Sequence, residues 1–558
     1  MVLNQLLSGG SPIWNIVYSC NAYGPLDMHR LAMACQRTLE KHEVLRSRFH
    51  IESDGAVTRS IRPAGEWELQ NSTNTQREVD EFVSRTVQRP MDPFKEPLFQ
   101  VHTASITPWK TTIVVVISHI IGDGPTLHYA LSDISAEYSG LAVAGSAAIC
   151  QASHSPPNSS LNYLDWSSWA SGSLLRRPND ETTSFWKSHL SIPEACRPLY
   201  QYPQPHSYRG RTRTWTVRPE HHGRLAALSV GHGITMHQLA LGATFLALQS
   251  IQQHPTRGLV TVALGAPMTM RTEVGTEDML GMFLDRLVVP LTWEFGQHSS
   301  AGGDSTPGGS GSLGGFFEMV GDRSRAALSH FVPHRVLRSI LRESPQDLAA
   351  DRAEPSLAWP LFQVMVSFHT AVETAGGRLR LDGVETVERE DARPQCAKFP
   401  VMVEFTDKGD QGLKVELECA DELLDEGRAD RLENALALVL ELLGGGASIE
   451  GIMRVITGTT VNQGDRLPTP QSERDSLDYK QETKGSAGCM SHDCRSLVIK
   501  EAVAECLDRP MESSNGAETF WELGANSMDA LVLQKLCEKK GVDLDLRAIF
   551  ETPDMTEW

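Results

Sequence analysis

One stretch is most informative about the fold of this 558-residue chain: Ile117-Ser118-His119-Ile120-Ile121-Gly122-Asp123-Gly124. It follows a run of mostly β-branched residues, 111–116, and a helical pattern begins just after it, near Pro125. The motif therefore lies on a loop between a buried strand and a helix, where a rigid scaffold commonly presents functional groups. A neutral imidazole at the end of such a strand, here His119, can accept a proton from an amine or a hydroxyl.

The composition is that of a folded protein with little affinity for nucleic acid. Hydrophobic residues make up 40% of the chain and charged residues 22%, and the formal net charge is −19. This acidic balance disfavours an extended polyanion as a partner. The N-terminus has no basic region, and no apolar run reaches the ~18 residues that a membrane span needs. We therefore predict no membrane span and a cytoplasmic location, which the ten scattered cysteines also fit.

Helical and strand-like patterns alternate from the N-terminus to about residue 455, which predicts one large α/β region. The predicted helices are 26–40, 125–138, 235–252, 316–329 and 424–443. The predicted strands are 98–106, 111–118, 212–217, 259–265, 362–368, 399–405 and 413–419. Two stretches rich in small residues, 139–160 and 296–315, are expected to be loops.

The last hundred residues differ in character from this region. Residues 456–494 are polar, contain two prolines and lack periodicity, so they are predicted to be a flexible linker. Residues 495–558 carry two amphipathic helical patterns and are predicted to form a small helical bundle. Cys489, His492 and Cys494 have no second ligand pair at matching spacing, so no metal site is expected.

Ser527 directly precedes the second of these helical patterns, in Leu523-Gly524-Ala525-Asn526-Ser527-Met528. A phosphodiester attached to a serine at a helix N-terminus is stabilised by the helix dipole and by free backbone N–H groups. A serine at this position could instead serve simply as an N-cap. The residues alone leave both readings open.

Several further blocks occur in a fixed order, one before the opening motif and the others after it. They are His42-Glu43-Val44-Leu45-Arg46, Tyr163-Leu164-Asp165 with Trp169, Gly265–Arg271 and Leu280–Phe283. Together with Ser118–Gly124, these blocks make residues 12–450 resemble the condensation domain of nonribosomal peptide synthetases. The resemblance implies an α/β fold of two chloramphenicol-acetyltransferase-like lobes, with an active-site tunnel between them.

The resemblance also implies roles for individual residues. His119 takes the place of the catalytic histidine, where the two arms of the tunnel meet. Asp123 is expected to be structural and to pair with Arg271, and Gly124 is expected to bring a backbone N–H near the reacting carbonyl. Ser118 replaces the first histidine of the family motif, in a form similar to the terminal, product-releasing domains of fungal synthetases.

A second departure concerns Asp285, which stands where the family usually has an asparagine and adds a negative charge. In the tail, Phe520–Met528 resembles the carrier-domain motif. This resemblance implies that Ser527 carries a covalent 4′-phosphopantetheine, attached by a phosphopantetheinyl transferase. We therefore predict a condensation domain with two α/β lobes at 1–455, a flexible linker at 456–494 and a carrier domain at 495–558. The carrier domain is predicted to be a small α-helical bundle.

The sequence predicts no adenylation domain, so partner adenylation or polyketide synthase proteins are expected to supply the thioesters. The predicted activity is amide or ester formation from a carrier-bound acyl thioester. Three alternatives stay open: a chain-releasing or cyclising acyltransferase on the same fold, a carrier-docking module without catalysis, and a coenzyme-A-dependent acyltransferase.

Overall fold

The structure is a computed structural model. It describes residues 11–52, 57–64, 69, 75–148, 162–174, 178–190, 208–251, 258–295, 312–341, 361–371, 377–421, 426–457, 492–506 and a few positions between 533 and 544.

Twelve strands and twelve α-helices are described within these ranges. The strands are β1 Asn15–Tyr23, β2 Ser47–Ile51, β3 Val57–Ile61, β4 Phe99–Thr107, β5 Lys110–Ser118, β6 Gly210–Val217, β7 Gly258–Thr269, β8 Leu284–Phe295, β9 Val364–His369, β10 Glu385–Glu388, β11 Val401–Asp407 and β12 Leu413–Ala420. The helices are α1 Met28–Lys41, α2 Gln76–Gln88, α3 Gly124–Ala148, α4 Tyr163–Ser173, α5 Asp180–Leu190, α6 Pro219–Gly231, α7 Met236–Leu248, α8 Leu313–Ser329, α9 His334–Leu341, α10 Glu426–Gly444, α11 Ile449–Ile456 and α12 His492–Cys506.

The strands form a four-stranded sheet in the order β10-β1-β5-β4, a six-stranded sheet in the order β6-β12-β11-β9-β7-β8, and the hairpin β2-β3. Each large sheet has its own apolar core. The chain crosses between the sheets, because β10 follows β9 of the larger sheet in sequence yet pairs antiparallel with β1 of the smaller one. The two halves of the α/β region are thus joined by backbone hydrogen bonds as well as by the chain.

Strand β5 lies inside the smaller sheet, between β1 and β4. All of its residues from Thr111 to Ser118 are buried, which explains the continuous apolar run in the sequence. Its register with β1 sets Ser118 opposite Asn15, at the end of the sheet. The next residue, His119, therefore emerges where the strand stops.

The two faces of strand β11 in the larger sheet differ in polarity. On β11 the side chains of Val401, Val403 and Phe405 belong to the apolar core, whereas Glu404 and Thr406 alternate with them. Successive side chains of a strand point to opposite faces. The polar side chains of β11 therefore lie on the face that is turned away from this core.

The boundaries of several elements differ from the sequence predictions. Helix α3 continues to Ala148, so 139–148 are helical and not loop. Small residues such as alanine favour a helix as readily as a loop, which is why composition misled here. Strand β7 continues to Thr269. Helices α4 and α5 lie in the segment from 162 to 190, for which no element was predicted above. Strand β10 has no sequence prediction, because four residues are too few to show a period.

The predicted C-terminal bundle is described only in part. Helix α12 covers the first of the two helical patterns, and its Ile499 and Ala502 are buried. Ser527 and the residues around it lie outside the described residues. None of the helices that the structure describes combines the length and apolarity needed to cross a membrane.

Candidate active site at the end of strand β5

His119 is held in place by its own loop and by the N-terminal segment. Its backbone N–H donates to the carbonyl oxygen of Trp14 at 2.7 Å, and its ring meets the Trp14 ring edge to face at 6.3 Å between centroids. Ring nitrogen Nδ1 lies 2.9 Å from the carbonyl oxygen of Gly122. Because a carbonyl can only accept, Nδ1 carries the proton of the neutral ring. The lone pair is then on Nε2.

The electrostatic setting keeps this imidazole neutral. Burial and, to a smaller extent, the positive charge of Lys398 lower the pKa of His119 to about 4, against an opposing effect of Asp123. His119 as a residue is only partly buried, and among the described residues none hydrogen-bonds to Nε2. His119 is thus a neutral imidazole whose Nε2 is available to accept a proton.

Asp123, four residues later, is in the opposite situation. It is 2% exposed, and its Oδ1 accepts hydrogen bonds from the Thr126 backbone N–H at 3.0 Å and from Arg271 Nη2 at 2.8 Å. Its Oδ2 accepts from the backbone N–H of Phe283 at 3.1 Å. The carboxylate therefore caps helix α3 and ties it to the β7–β8 connection.

Arg271 completes this buried network. Its Nη1 donates to the backbone carbonyl oxygens of Thr276 and Met279, and its guanidinium carbon lies 4.2 Å from the centre of the Phe283 ring. The arginine is 8% exposed. A buried charge pair is tolerated where both partners have further hydrogen bonds, as they do here. This pair fixes the β7–β8 connection against the loop that carries His119.

Gly281 allows this close approach. A Cβ atom at this position would lie 2.0 Å from the Tyr163 ring, so only glycine fits. The Thr126 hydroxyl lies 2.7 Å from the Gly281 carbonyl oxygen and accepts from the Gly281 N–H at 3.1 Å. Tyr163 in turn donates its hydroxyl proton to the carbonyl of Met282 at 3.0 Å. Helix α4, which carries Tyr163, thus packs against the β7–β8 connection at Gly281 and Met282.

The structure separates the predicted site residues into two groups. Asp123 and Arg271 meet in the network, and His119 lies beside them. Ser118 is fully buried at the end of β5, so its side chain lies beneath the loop and away from the accessible space. Gly124 is exposed at the start of α3, with room for a side chain, and no described residue accepts from its backbone N–H.

Other family blocks have structural tasks. His42 Nε2 contacts the carboxylate of Asp133 on α3, and Arg46 donates to the carbonyl oxygen of Leu39 at 2.9 Å. These contacts hold the first lobe together, away from His119. Asp285 accepts from the backbone N–H of His334 at 3.2 Å, at the start of α9. Its carboxylate therefore caps a helix.

Sequence reasoning missed several residues that build the site. Thr126 and Gly122 lie inside or just after the motif, and the spacing Asp123-x-x-Thr126 is itself a helix-capping signal. Lys398 shows no such signal, because 279 residues separate it from His119 and only the packing of the two sheets brings it close. Among the described residues, no group of three or more His, Cys, Asp or Glu side chains is placed to hold a metal ion.

The comparisons with known proteins agree with this geometry. Residues 1–443 match the model of the condensation domain family. The chain is 32% identical over 561 residues to nonribosomal peptide synthetase 5 of Aspergillus fumigatus, an alignment covering 100% of the chain and 24% of that protein. It is 25% identical to nonribosomal peptide synthetase sirP of Leptosphaeria maculans, over 98% of the chain and 22% of that protein. The chain thus spans about a quarter of the length of these fungal relatives.

Solved structures show the same fold. The X-domain from teicoplanin biosynthesis is similar with a TM-score of 0.63 and 19% identity, covering 81% of this chain and 95% of that one. The condensation domain from the monacolin K polyketide synthase MokA is similar with a TM-score of 0.59 and 17% identity, covering 80% and 96%. With the matching family model, these findings show that the chain belongs to the condensation domain family, the acyltransferase-type enzymes of nonribosomal peptide synthesis.

Proposed function

We propose that this chain is a condensation–carrier didomain that forms an amide or an ester from a carrier-bound acyl thioester. The observation that carries the catalytic part is the His119 ring, whose Nδ1 lies 2.9 Å from the Gly122 carbonyl oxygen and whose Nε2 has no hydrogen-bond partner among the described residues. The proposed boundaries are residues 1–455 for the condensation domain, 456–494 for the linker and 495–558 for the carrier. The partners are adenylation or polyketide synthase proteins that supply thioesters.

The reaction follows from this geometry. The lone pair of an amine or hydroxyl attacks the thioester carbonyl carbon, and His119 Nε2 accepts the proton that the nucleophile loses. The backbone N–H of Gly124, at the N-terminus of α3, donates to the oxygen as it becomes negative. The carbon–sulfur bond then breaks, and the departing thiolate takes the proton from His119. Because a thioester is already activated, positioning of the two substrates supplies much of the rate.

The test of this step uses small thioesters in place of loaded carriers. The purified chain is incubated with an acyl-pantetheine thioester and either an amine or a hydroxyl nucleophile, and the products are identified by mass spectrometry. We expect an amide or an ester, together with free pantetheine. Only background hydrolysis with both nucleophiles would contradict the proposed catalysis and favour a docking role.

The carrier part of the proposal rests on Ser527 and its sequence context. A phosphopantetheinyl transferase and coenzyme A should add one phosphopantetheine arm to the chain, measured as intact mass. The variant Ser527→Ala should gain no mass, while the neighbouring Ser513→Ala should be loaded like the unmodified chain. Loading of Ser527→Ala would place the attachment elsewhere, and no loading of either protein would remove the carrier from the proposal.

A further inference from the structure

A cavity of about 380 Å³ lies beside strands β7 and β8, apart from the catalytic loop. Thr261, near the start of β7, and Thr292, near the end of β8, both line it. The β7–β8 connection, which contacts Asp123, is at the other end of these strands, about 25 Å away at ~3.4 Å per residue. A ligand bound in this cavity is therefore separate from the carbonyl that reacts beside His119.

The cavity contains one arginine, Arg323 of helix α8. Arg323 is half-buried, and it forms no ion pair with any described residue, because the neighbouring Asp322 is paired with Arg325 at 2.5 Å. No aspartate or glutamate is among the described residues that line the cavity, and Glu294, the next residue on this face of β8, is exposed outside it. An arginine in a concave site without a counter-charge favours an anion.

Two threonine hydroxyls supply a second donor. Thr261 and Thr292 are directly opposite each other in the register of β7 and β8, and their hydroxyl oxygens lie 3.0 Å apart. One hydroxyl donates to the other, and no described residue accepts the proton of the second hydroxyl. The pair therefore has one O–H group left to donate to a ligand in the cavity.

A ring nitrogen of His189 on helix α5 is the third polar group of the lining. Its Nδ1 lies 2.9 Å from the carbonyl oxygen of Phe185, and the two rings stack at 4.3 Å between centroids. A carbonyl only accepts, so Nδ1 carries a proton and Nε2 is the nitrogen left for a ligand. Nε2 accepts from a protonated anion when the ring is neutral, and it donates to an ionised one when the ring is charged. This imidazole thus suits an anion with two protonation states.

Phosphate is the anion that these groups fit best. Three terminal oxygens serve a guanidinium, a hydroxyl and an imidazole from three separate elements, whereas a carboxylate has only two oxygens. A phosphate monoester also exchanges its second proton near pH 6, in the range where histidine titrates.

The rest of the lining indicates an organic phosphate. Leu259 and Pro290 add apolar surface, and Leu259 is 71% exposed. The cavity also has the volume of a small-molecule site, which is more than a phosphate ion alone requires. We propose that this cavity binds a small phosphate monoester, with the phosphate at Arg323 and the apolar part of the molecule against Leu259 and Pro290.

The test uses phenyl phosphate as the probe, with inorganic phosphate and phenol as its two halves. Binding of each compound to the full chain is measured by isothermal titration calorimetry at one ionic strength. We expect one phenyl phosphate to bind per chain, more tightly than inorganic phosphate, because the phenyl ring removes apolar surface from water. Phenol should show no binding, because it lacks the anion.

Arg323→Gln removes the cation and should weaken the binding of phenyl phosphate by about tenfold, the value of one charge-assisted hydrogen bond. Thr292→Val removes one hydroxyl and should weaken it by about threefold. Arg325→Gln is the matched control, because it makes the same charge change on the same helix at a guanidinium that is paired with Asp322. Its affinity for phenyl phosphate should equal that of the unmodified chain. Thermal unfolding without ligand monitors whether each variant folds.

Three results would overturn this inference: no binding of phenyl phosphate, an unchanged affinity in Arg323→Gln, or an equal loss in Arg325→Gln. The last result would mean that the net charge of the helix attracts phosphate without a defined site. Phenol or inorganic phosphate binding as tightly as phenyl phosphate would also contradict the proposed ligand class. None of these measurements uses a thioester, so the inference and the proposed condensation activity stand or fail separately.

Discussion

The two ends of the loop that follows β5 hold side chains in contrasting states. Asp123 is buried, and its two carboxylate oxygens accept hydrogen bonds from Thr126, Arg271 and Phe283. His119 has one ring nitrogen fixed by Gly122, and its other ring nitrogen has no hydrogen-bond partner among the described residues. The two residues, four positions apart, thus have different roles. Asp123 ties the loop to the β7–β8 connection, and His119 keeps Nε2 available to accept a proton. Substitutions at the two ends should therefore fail in different ways.

The largest expected effect on activity is at His119, the first residue of this loop. His119→Ala removes the proton acceptor and should lower the rate of condensation by about 10²–10⁴-fold, the usual contribution of general base catalysis. The free energy of unfolding should change little, because within the described part of the chain the ring makes one hydrogen bond, to Gly122. Single-turnover rates and denaturant unfolding measure the two quantities. His50→Ala, in the exposed hairpin β2-β3, is the control and should alter neither. A wild-type rate in His119→Ala would show that His119 is not the base.

Substitution of Asp123, the buried end of the loop, should chiefly lower the free energy of unfolding. Asp123→Ala leaves Arg271 buried without its counter-charge and should cost about 3–5 kcal/mol in the free energy of unfolding. Removing both charges, in Asp123→Ala with Arg271→Met, should cost less than the sum of the single variants. Urea unfolding of the four proteins measures this coupling. Additive costs would mean that the pair does not act as a unit.

Substitutions of two glycines test the same contrast through side-chain packing alone. Gly281→Ala would place a Cβ against the Tyr163 ring and should destabilise the protein by about 1–3 kcal/mol. Gly124→Ala meets no atom within 4 Å and should leave the free energy of unfolding nearly unchanged. The unfolding midpoints of the two variants compare them directly. Equal effects at both positions would refute the packing at the β7–β8 connection.

The smallest expected effect is electrostatic. With a pKa of about 4, His119 is neutral at pH 7 and becomes protonated, and inactive as a base, only below pH 4. The rate with a hydroxyl nucleophile should therefore be flat near neutrality and fall as the pH drops through 4. Lys398→Met removes a positive charge that lowers this pKa, so the midpoint should move to higher pH. A midpoint near 6.5 in the unmodified chain would contradict the buried environment of the His119 ring.

Much of the site could be predicted because the family motifs are contiguous in sequence. The run before Ser118 predicted a buried strand, and β5 is buried throughout. The position of the histidine after that strand followed from the same pattern. The limits of α3 and β7 could not be predicted as well, since element ends depend on capping and pairing partners elsewhere in the chain.

The sequence by itself determined the class of protein and the order of its motifs, because periodicity and short spacings are local properties of a chain. The tertiary structure alone decided which side chains are satisfied. Asp123 and Arg271 are 148 residues apart, and only the packing of the two sheets brings them within hydrogen-bonding distance. Glu404 and Glu416 are equivalent as letters in a strand pattern. Sheet register and neighbouring cations decide their partners, since Glu416 contacts Arg393 and Glu404 lies 3.7 Å from His369 Nε2.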